Sequence, residues 1–396
     1  MDNRLRILFA SPHCLLDKTN GAALATWELM IQLTQRGFPC EAVTASICDP
    51  SREVSMEEVL SRHSLAKIKR TDFIKGLPLI EVNDGIINHT ILRTHSSRRS
   101  ALTGQEGEAF LSLVEEKISQ SQPQLLLTYG GLSAERKIHL LAHKHDTSVV
   151  FYLHNSLYTK TETFSEVDLI LVPSEFLSKF YQEKLSIQSQ VLYPLFKNED
   201  YLVTHRDPRY ITFINPIPDK GLTLFARIIS EALRELPQAQ FLVVEGRWNQ
   251  ANVARVGLKL DRIPNVQVIP YQQDMKTVYA QTKMILYPSF MGEAFGRIVV
   301  EAQLNGIPVL ASRQGGIPEA LNGGGFLFDL PERCMKKWMA IPTAEEVNSW
   351  IETLRTLLED PKAYEEAQRR AFQAAEKFNP ERNIQEAMNL FLGVRA

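Results

Sequence analysis

Short apolar runs of strand length alternate with amphipathic stretches along most of the chain. This is the pattern of parallel α/β sheets, whose strands are covered on both faces. A first series of predicted strands comprises "RILFAS" (Arg6–Ser11), Cys40–Ala45, Gln124–Gly130, Ser148–His154, Asp168–Ser174 and Ser189–Pro194. Between the first two, a helical period runs from Ala22 to Arg36 and stops at Gly37, where a C-cap glycine fits. From about Asp49 to Gly107 the chain is charged and irregular, and no order of elements is read there. The polar stretch "LFKNEDYLVTHRDPR" (Leu195–Arg209) breaks the rhythm and reads as a linker. A second series follows: Tyr210–Asn215, Gln240–Gly246, Val266–Tyr271, Lys283–Ser289 and Gly306–Ser312. The chain closes in helical patterns divided by Pro380.

With 396 residues, the chain is longer than one typical core supports, so two doubly wound units are expected. Ligands of such open sheets bind outside the carboxyl ends of the strands. A net charge of −2 gives no electrostatic argument for nucleic acid as a partner. No apolar run is long enough to span a bilayer, and the apolar run near the N-terminus is too short for a signal peptide and reads as a strand. The four cysteines, Cys14, Cys40, Cys48 and Cys334, lack CxxC spacing, which suits a reducing cytoplasm.

The densest chemistry lies in "EAFGRIVVEAQLNGIPVLASRQGGIPE", where Glu293 and Glu301 stand eight positions apart. A helix is expected from Arg297 to Asn305, ended by Gly306. Eight helical residues span roughly 12 Å, whereas two-carboxylate hydrolysis needs carboxyl groups about 5–9.5 Å apart. Acid/base pairing is therefore a poor reading. Two hydrogen-bond acceptors along an extended ligand fit better, with the free N–H groups of Phe295, Gly296 and Arg297 between them facing an anion. A nucleotide sugar has that layout of sugar hydroxyls, diphosphate and ribose hydroxyls. A single glutamate is most often just a solvated charge; it is the bracketing by "YPSF", "AFG" and "GGIPE" that argues otherwise.

This region resembles the E-x7-E signature of the retaining GT-B glycosyltransferases grouped as family 4, strongly in the second half of the chain and weakly before it. The resemblance implies an α/β fold of two Rossmann-like doubly wound domains facing across a cleft. Residues 1–200 would bind the acceptor, 206–375 the nucleotide sugar, and 376–396 would form a helix returning to the first domain. By position, Glu293 would contact donor-sugar hydroxyls and Glu301 the ribose, with the Ala294–Phe295–Gly296 backbone beside the diphosphate. "DKG" resembles the family segment whose lysine, here Lys220, neutralises the diphosphate as charge builds on the leaving group. The arginine usual five residues earlier is replaced by Asn215, which removes a cation; Asn215 could donate a hydrogen bond to a phosphate, and Arg247 or Arg297 could supply charge instead. The loop "DKTNGAALA" keeps one glycine of the family's pair, Gly21, and Asn20 beside it tolerates positive φ. His154, at the carboxyl end of a predicted strand, matches the histidine that touches the donor sugar. His13 is a weaker candidate, and His139, His143 and His145 read as helix-surface residues.

The expected activity is that of a hexosyltransferase: transfer of a hexosyl unit from a nucleoside-diphosphate sugar, UDP most commonly and GDP otherwise, to a hydroxyl of a glycan, lipid or small molecule. Retention follows from the resemblance alone. No D-x-D motif and no zinc-like spacing occurs, so neither metal nor cofactor is expected. Two alternatives stay open at this level: a nucleotide-sugar 2-epimerase or hydrolase on the same fold, and a catalytically silent binding or scaffold protein. A basic scatter (Lys67, Lys69, Arg70, Arg93, Arg98, Arg99) could touch a membrane surface, although scattered charge is more often a solvated face.

Overall fold

In a computed structural model of the chain, the described residues are 5–49, 53–63, 65, 73–130 and 135–394. Contacts divide the chain into two compact units, Met1–Leu195 with Pro380–Ala396, and Phe196–Asn379.

Unit 1 is built on nine strands: β1 (Ile7–His13), β2 (Cys40–Ile47), β3 (Phe73–Ile74), β4 (Leu77–Asn83), β5 (Asn88–Leu92), β6 (Leu125–Thr128), β7 (Ser148–Tyr152), β8 (Leu169–Val172) and β9 (Gln190–Val191). Their order across the sheet is β3-β4-β5-β2-β1-β6-β7-β8-β9. β4 runs antiparallel to both its neighbours, and the remaining pairs are parallel, with Ile7 opposite Cys40 on one side and Leu125 on the other. Ile7, Leu8, Phe9 and Ala10 are all buried, as a strand covered on both faces requires. The direction of winding reverses between β1 and β6, so the loops after these strands flank a switch point.

The region that reads as irregular holds ordered structure. β4 and β5 form a hairpin whose turn is tied by Asp84, its Oδ1 accepting from the N–H groups of Ile86 and Ile87. The helix Gly104–Ser121 starts in a reciprocal capping box between Thr103 and Glu106. Arg93 and Arg98 pair with Glu57 and Glu53, whereas Lys67, Lys69 and Arg70 lie outside the described residues.

Two local expectations are corrected. His139 is not a surface residue: on the helix Glu135–Lys144 its ring is buried edge-on against Phe151, and burial pushes its pKa down to about 4. His143 and His145 on the same segment are partly exposed. Nor does the turn into the helix Gly21–Gln35 use positive φ at Asn20 or Gly21. Asn20 is an extended N-cap whose side-chain oxygen accepts from Ala22 and Ala23, so a side chain performs what a glycine pair would do with backbone freedom.

Unit 2 is a six-stranded, all-parallel sheet: β10 (Tyr210–Ile214), β11 (Phe241–Val244), β12 (Val266–Ile269), β13 (Thr282–Tyr287), β14 (Val309–Ser312) and β15 (Phe326–Phe328). The order is β12-β11-β10-β13-β14-β15, with Ile211 opposite Phe241 and Met284. Winding reverses between β10 and β13. Phe213 on β10 stacks on Phe225 of the helix Leu222–Glu235 at 4.3 Å, in the core beneath that reversal. The polar stretch read as a linker is packed from Phe196 onward. Phe196 and Tyr201 are buried, and Arg206 donates to the carbonyls of Asn305 and Thr282. The helix Pro380–Gly393 belongs to unit 1, where Ile384, Ala387 and Phe391 join the core containing Leu29, Met30 and Leu33.

Candidate functional site

The carboxyl ends of β10 and β13 bring Lys220 and Glu293 together. After β10 the chain turns through Pro218–Lys220 and passes Gly221 at φ 85° into the helix Leu222–Glu235. A Cβ on Gly221 would lie 2.0 Å from the Pro288 carbonyl oxygen, so the two loops meet backbone to backbone. Phe290 and Met291 donate their N–H groups to the Asp219 carbonyl at 2.9 and 3.1 Å. On this base the Lys220 ammonium donates to Glu293 Oε1, and the Ser289 hydroxyl lies 3.1 Å from the same oxygen. The two charged side chains are only 17% and 13% exposed. Burial, then the Glu293 carboxylate, holds the Tyr287 phenol well above its ordinary pKa, so it stays a neutral neighbour.

The Gly315–Gly316 turn after β14 fixes the backbone that follows Glu293. Gly316 donates its N–H to the Glu293 carbonyl at 2.7 Å. A Cβ at Gly315 would sit 2.4 Å from that carbonyl oxygen, and one at Gly316 2.7 Å from the Ala294 oxygen. Phe295 buries its ring against Phe378 and Phe196 at 5.2 and 6.3 Å. Gly296, at φ 110°, then opens the helix Arg297–Leu304. The N–H groups at this helix start are thus held in place by packing on both sides.

Glu301 is buried inside that helix rather than displayed on it. Its Oε2 accepts from the Tyr279 hydroxyl at 2.6 Å, and Arg297 Nε lies 3.5 Å from Oε1. Arg297 is itself anchored: it donates to the Tyr201 hydroxyl at 2.7 Å, and its guanidinium lies 4.8 Å from the Phe196 ring centre. Asn215 adopts φ 61° and uses its side-chain oxygen to accept from the Arg247 N–H at 2.9 Å. It therefore braces the ends of β10 and β11; the absent Cβ of Gly246 makes room for it, since one there would meet that oxygen at 2.6 Å. The Arg247 side chain is exposed.

In unit 1, His154 follows β7, its ring 4.0 Å from Tyr152 and 6.1 Å from Tyr129. Gly21 is the exposed first residue of its helix. Near the end of β1, Asp17 accepts from Thr19 and from the Asp49 N–H, and Asn20 donates to Asp49. Ser289, Tyr279 and Tyr129 were not legible as site residues. Ser289 and Tyr129 at the ends of strand-like runs and Tyr279 on the helix Lys276–Gln281 signal packing until the fold sets them beside carboxylates or histidines. Among the described residues there is no group of three or more His, Cys, Asp or Glu able to hold a metal ion. No described helix is long and apolar enough to cross a membrane.

With this geometry in view, residues 208–360 match the family model for glycosyl transferases group 1. The chain is 25% identical over 242 residues to a lipopolysaccharide 1,2-N-acetylglucosaminetransferase of Salmonella typhimurium, covering 55% of this chain and 62% of that one. It is 29% identical over 140 residues to a D-inositol 3-phosphate glycosyltransferase of Mycobacterium sp., covering 33% of this chain and 28% of that one. The matched part thus spans under two thirds of these relatives' length. Among solved structures, a glycosyltransferase from Rickettsia africae superposes with a TM-score of 0.71 at 15% identity, covering 99% of both chains. Anabaena Alr3699/HepE in complex with UDP-glucose gives 0.69 at 16% identity, covering 98% of this chain and 100% of that one. The chain has the GT-B fold of two Rossmann-like units, and its second unit carries the match to glycosyl transferases group 1.

Proposed function

We propose that the protein transfers a hexosyl unit from a nucleoside-diphosphate sugar to an acceptor hydroxyl, with retention at the anomeric carbon. The observation that carries this reading is the convergence at the β10/β13 reversal of a cation, Lys220, a carboxylate, Glu293, and a rigid helix start at Gly296. Lys220 and the N–H groups at Phe295–Gly296 would stabilise the leaving diphosphate. Glu293 would accept from sugar hydroxyls, and Glu301, steadied by Tyr279, from the ribose. Asn215 acts as a brace and Arg297 as an anchored support, so the phosphate charge falls mainly to Lys220, with Arg247 the remaining cation of that loop set. On unit 1, His154 and the Gly21 loop take part in placing the substrates' hydroxyl-bearing ends. The departing phosphate oxygen would take the acceptor proton in a front-face displacement, which needs no protein base. The donor is a UDP-sugar by preference, consistent with the UDP and UDP-glucose complexes of neighbours of the same fold, and no metal ion or other cofactor is required.

Thermal-shift screening against UDP-, GDP- and ADP-sugars, followed by NMR of the anomeric proton of the product, tests the reading. Stabilisation by one nucleotide sugar and an acceptor-dependent product of unchanged anomeric configuration are expected. Complete donor turnover without acceptor would put hydrolysis or epimerisation in its place.

A further inference from the structure

A second strand-end constellation, in unit 1, is left over by that assignment. His13 closes β1, Tyr129 follows β6 and Asp49 follows β2, so the three flank the winding reversal between β1 and β6. The His13 ring lies 6.2 Å from the Tyr129 ring, and its Nε2 is 3.7 Å from Asp49 Oδ1 and 3.9 Å from Asp17 Oδ2. Neither nitrogen of His13 nor the Tyr129 hydroxyl has a hydrogen-bond partner among the described residues, although Tyr129 is only 6% exposed. Burial, then the nearby Cys14, Asp17 and Asp49, raises the Tyr129 phenol well above its ordinary range and keeps it a neutral hydroxyl. Buried polar groups are almost always satisfied, so the orphaned atoms of these neighbouring rings call for a ligand.

The donor set also says which kind. An imidazole and a phenol each offer one donor and one acceptor, which is the complement of an alcohol hydroxyl. A phosphate monoester dianion offers acceptors only, and its charge would be repelled by the Asp17 and Asp49 carboxylates beside His13. Asp17 is held by Thr19 and the Asp49 backbone, and Lys18, the cation of this loop, is drawn over the Trp27 ring at 4.6 Å. We infer that His13, Tyr129 and Asp49 form a subsite for a neutral hydroxyl of a polyol or sugar acceptor, and that it selects against a phosphorylated position there. The name acceptor rests on the glycosyl-transfer reading; the hydroxyl selectivity rests on the cluster itself.

The test uses the full chain labelled with 13C at histidine Cε1. The His13 signal is assigned by its loss in His13→Gln, and that variant's thermal melt is compared with wild type. myo-Inositol and methyl α-glucoside are titrated at tens of millimolar, and inorganic phosphate at the same pH and ionic strength. The polyols should shift the His13 signal and phosphate should leave it in place. Tyr129→Phe should weaken the polyol titration roughly fivefold, the loss of one hydrogen bond. Asp49→Asn should let phosphate begin to compete. A response to phosphate as large as that to the polyols overturns the subsite, and so does a signal that none of the probes moves. Calorimetry with UDP-glucose reports separately on unit 2. Failure there with an intact His13 response sinks glycosyl transfer and leaves the hydroxyl subsite standing.

Discussion

The two winding reversals of this molecule are satisfied in opposite ways. At the β10/β13 reversal the polar groups satisfy one another: Lys220 with Glu293, Tyr279 with Glu301, Asn215 with Arg247. At the β1/β6 reversal His13 and Tyr129 hold buried polar atoms with no hydrogen-bond partner among the described residues. A ligand at the first must take over or share bonds that already exist, so part of its interaction energy goes into exchange. A ligand at the second completes bonds that the chain does not make for itself. The first arrangement sets geometry in advance and the second sets selectivity, because a wrong group leaves the orphans unsatisfied.

The largest effect should come from Glu293. Glu293→Ala is expected to lower kcat by about 10²–10³-fold, the range for losing a preorganised polar group of an active site. Steady-state kinetics with the donor found by thermal shift will decide this, and wild-type turnover in the variant would dissolve the unit 2 assignment. Next comes the glycine turn that holds Glu293. Gly315→Ala places a methyl 2.4 Å from the Glu293 carbonyl at φ 57°, so stability should fall by about 1–3 kcal/mol, read as a lower denaturant midpoint. A matched tyrosine pair then sets one reversal directly against the other. Tyr279→Phe strips Glu301 of its hydroxyl partner and should destabilise by roughly 1–2 kcal/mol while raising the donor KM more than it changes kcat. Tyr129→Phe removes a buried hydroxyl that has no hydrogen-bond partner among the described residues, so its stability should be unchanged or higher. Equal losses in both would show that Tyr129 is satisfied and the contrast is wrong.

A last expectation concerns pH. His139 is held at about 4, below its unfolded value near 6.5. Between these values the unfolded chain binds a proton that the folded chain refuses, so stability falls as pH drops through the window and is flat above it. Substituting His139→Leu should flatten that part of the melting-temperature profile. An unchanged slope would assign acid sensitivity to other groups, among them His63, also depressed to about 4 by burial.

The strands that were legible are those buried on both faces, because a parallel strand writes itself as a continuous apolar run. What escaped reading is local or relational. The β4–β5 hairpin sits in a charged stretch where one face is polar, and the Thr103–Glu106 box was a short signal among many charges. His139 is polar by type yet lies on the covered face of its helix, a matter of phase rather than composition. Within the candidate site, Glu293, Lys220 and Gly296 stood out by spacing and resemblance. Glu301 stood out too, but its Tyr279 partner and the bracing by Asn215 did not, since both depend on partners far away in sequence. The bond from the Arg247 N–H to the Asn215 side-chain oxygen is one that only the fold could reveal.

The helix Pro380–Gly393 carries a consequence for biogenesis. Ile384, Ala387 and Phe391 complete a core that begins with residues near the N-terminus, and Glu381 holds Arg36 through two bonds of 2.7 and 2.6 Å. During translation, the ribosome must deliver all of Phe196–Asn379 before that helix emerges, a delay of roughly 10–40 s at ordinary elongation rates. For that interval the growing chain displays an uncovered apolar face around Leu29 and Leu33. Slower elongation through Phe196–Asn379 would lengthen that interval.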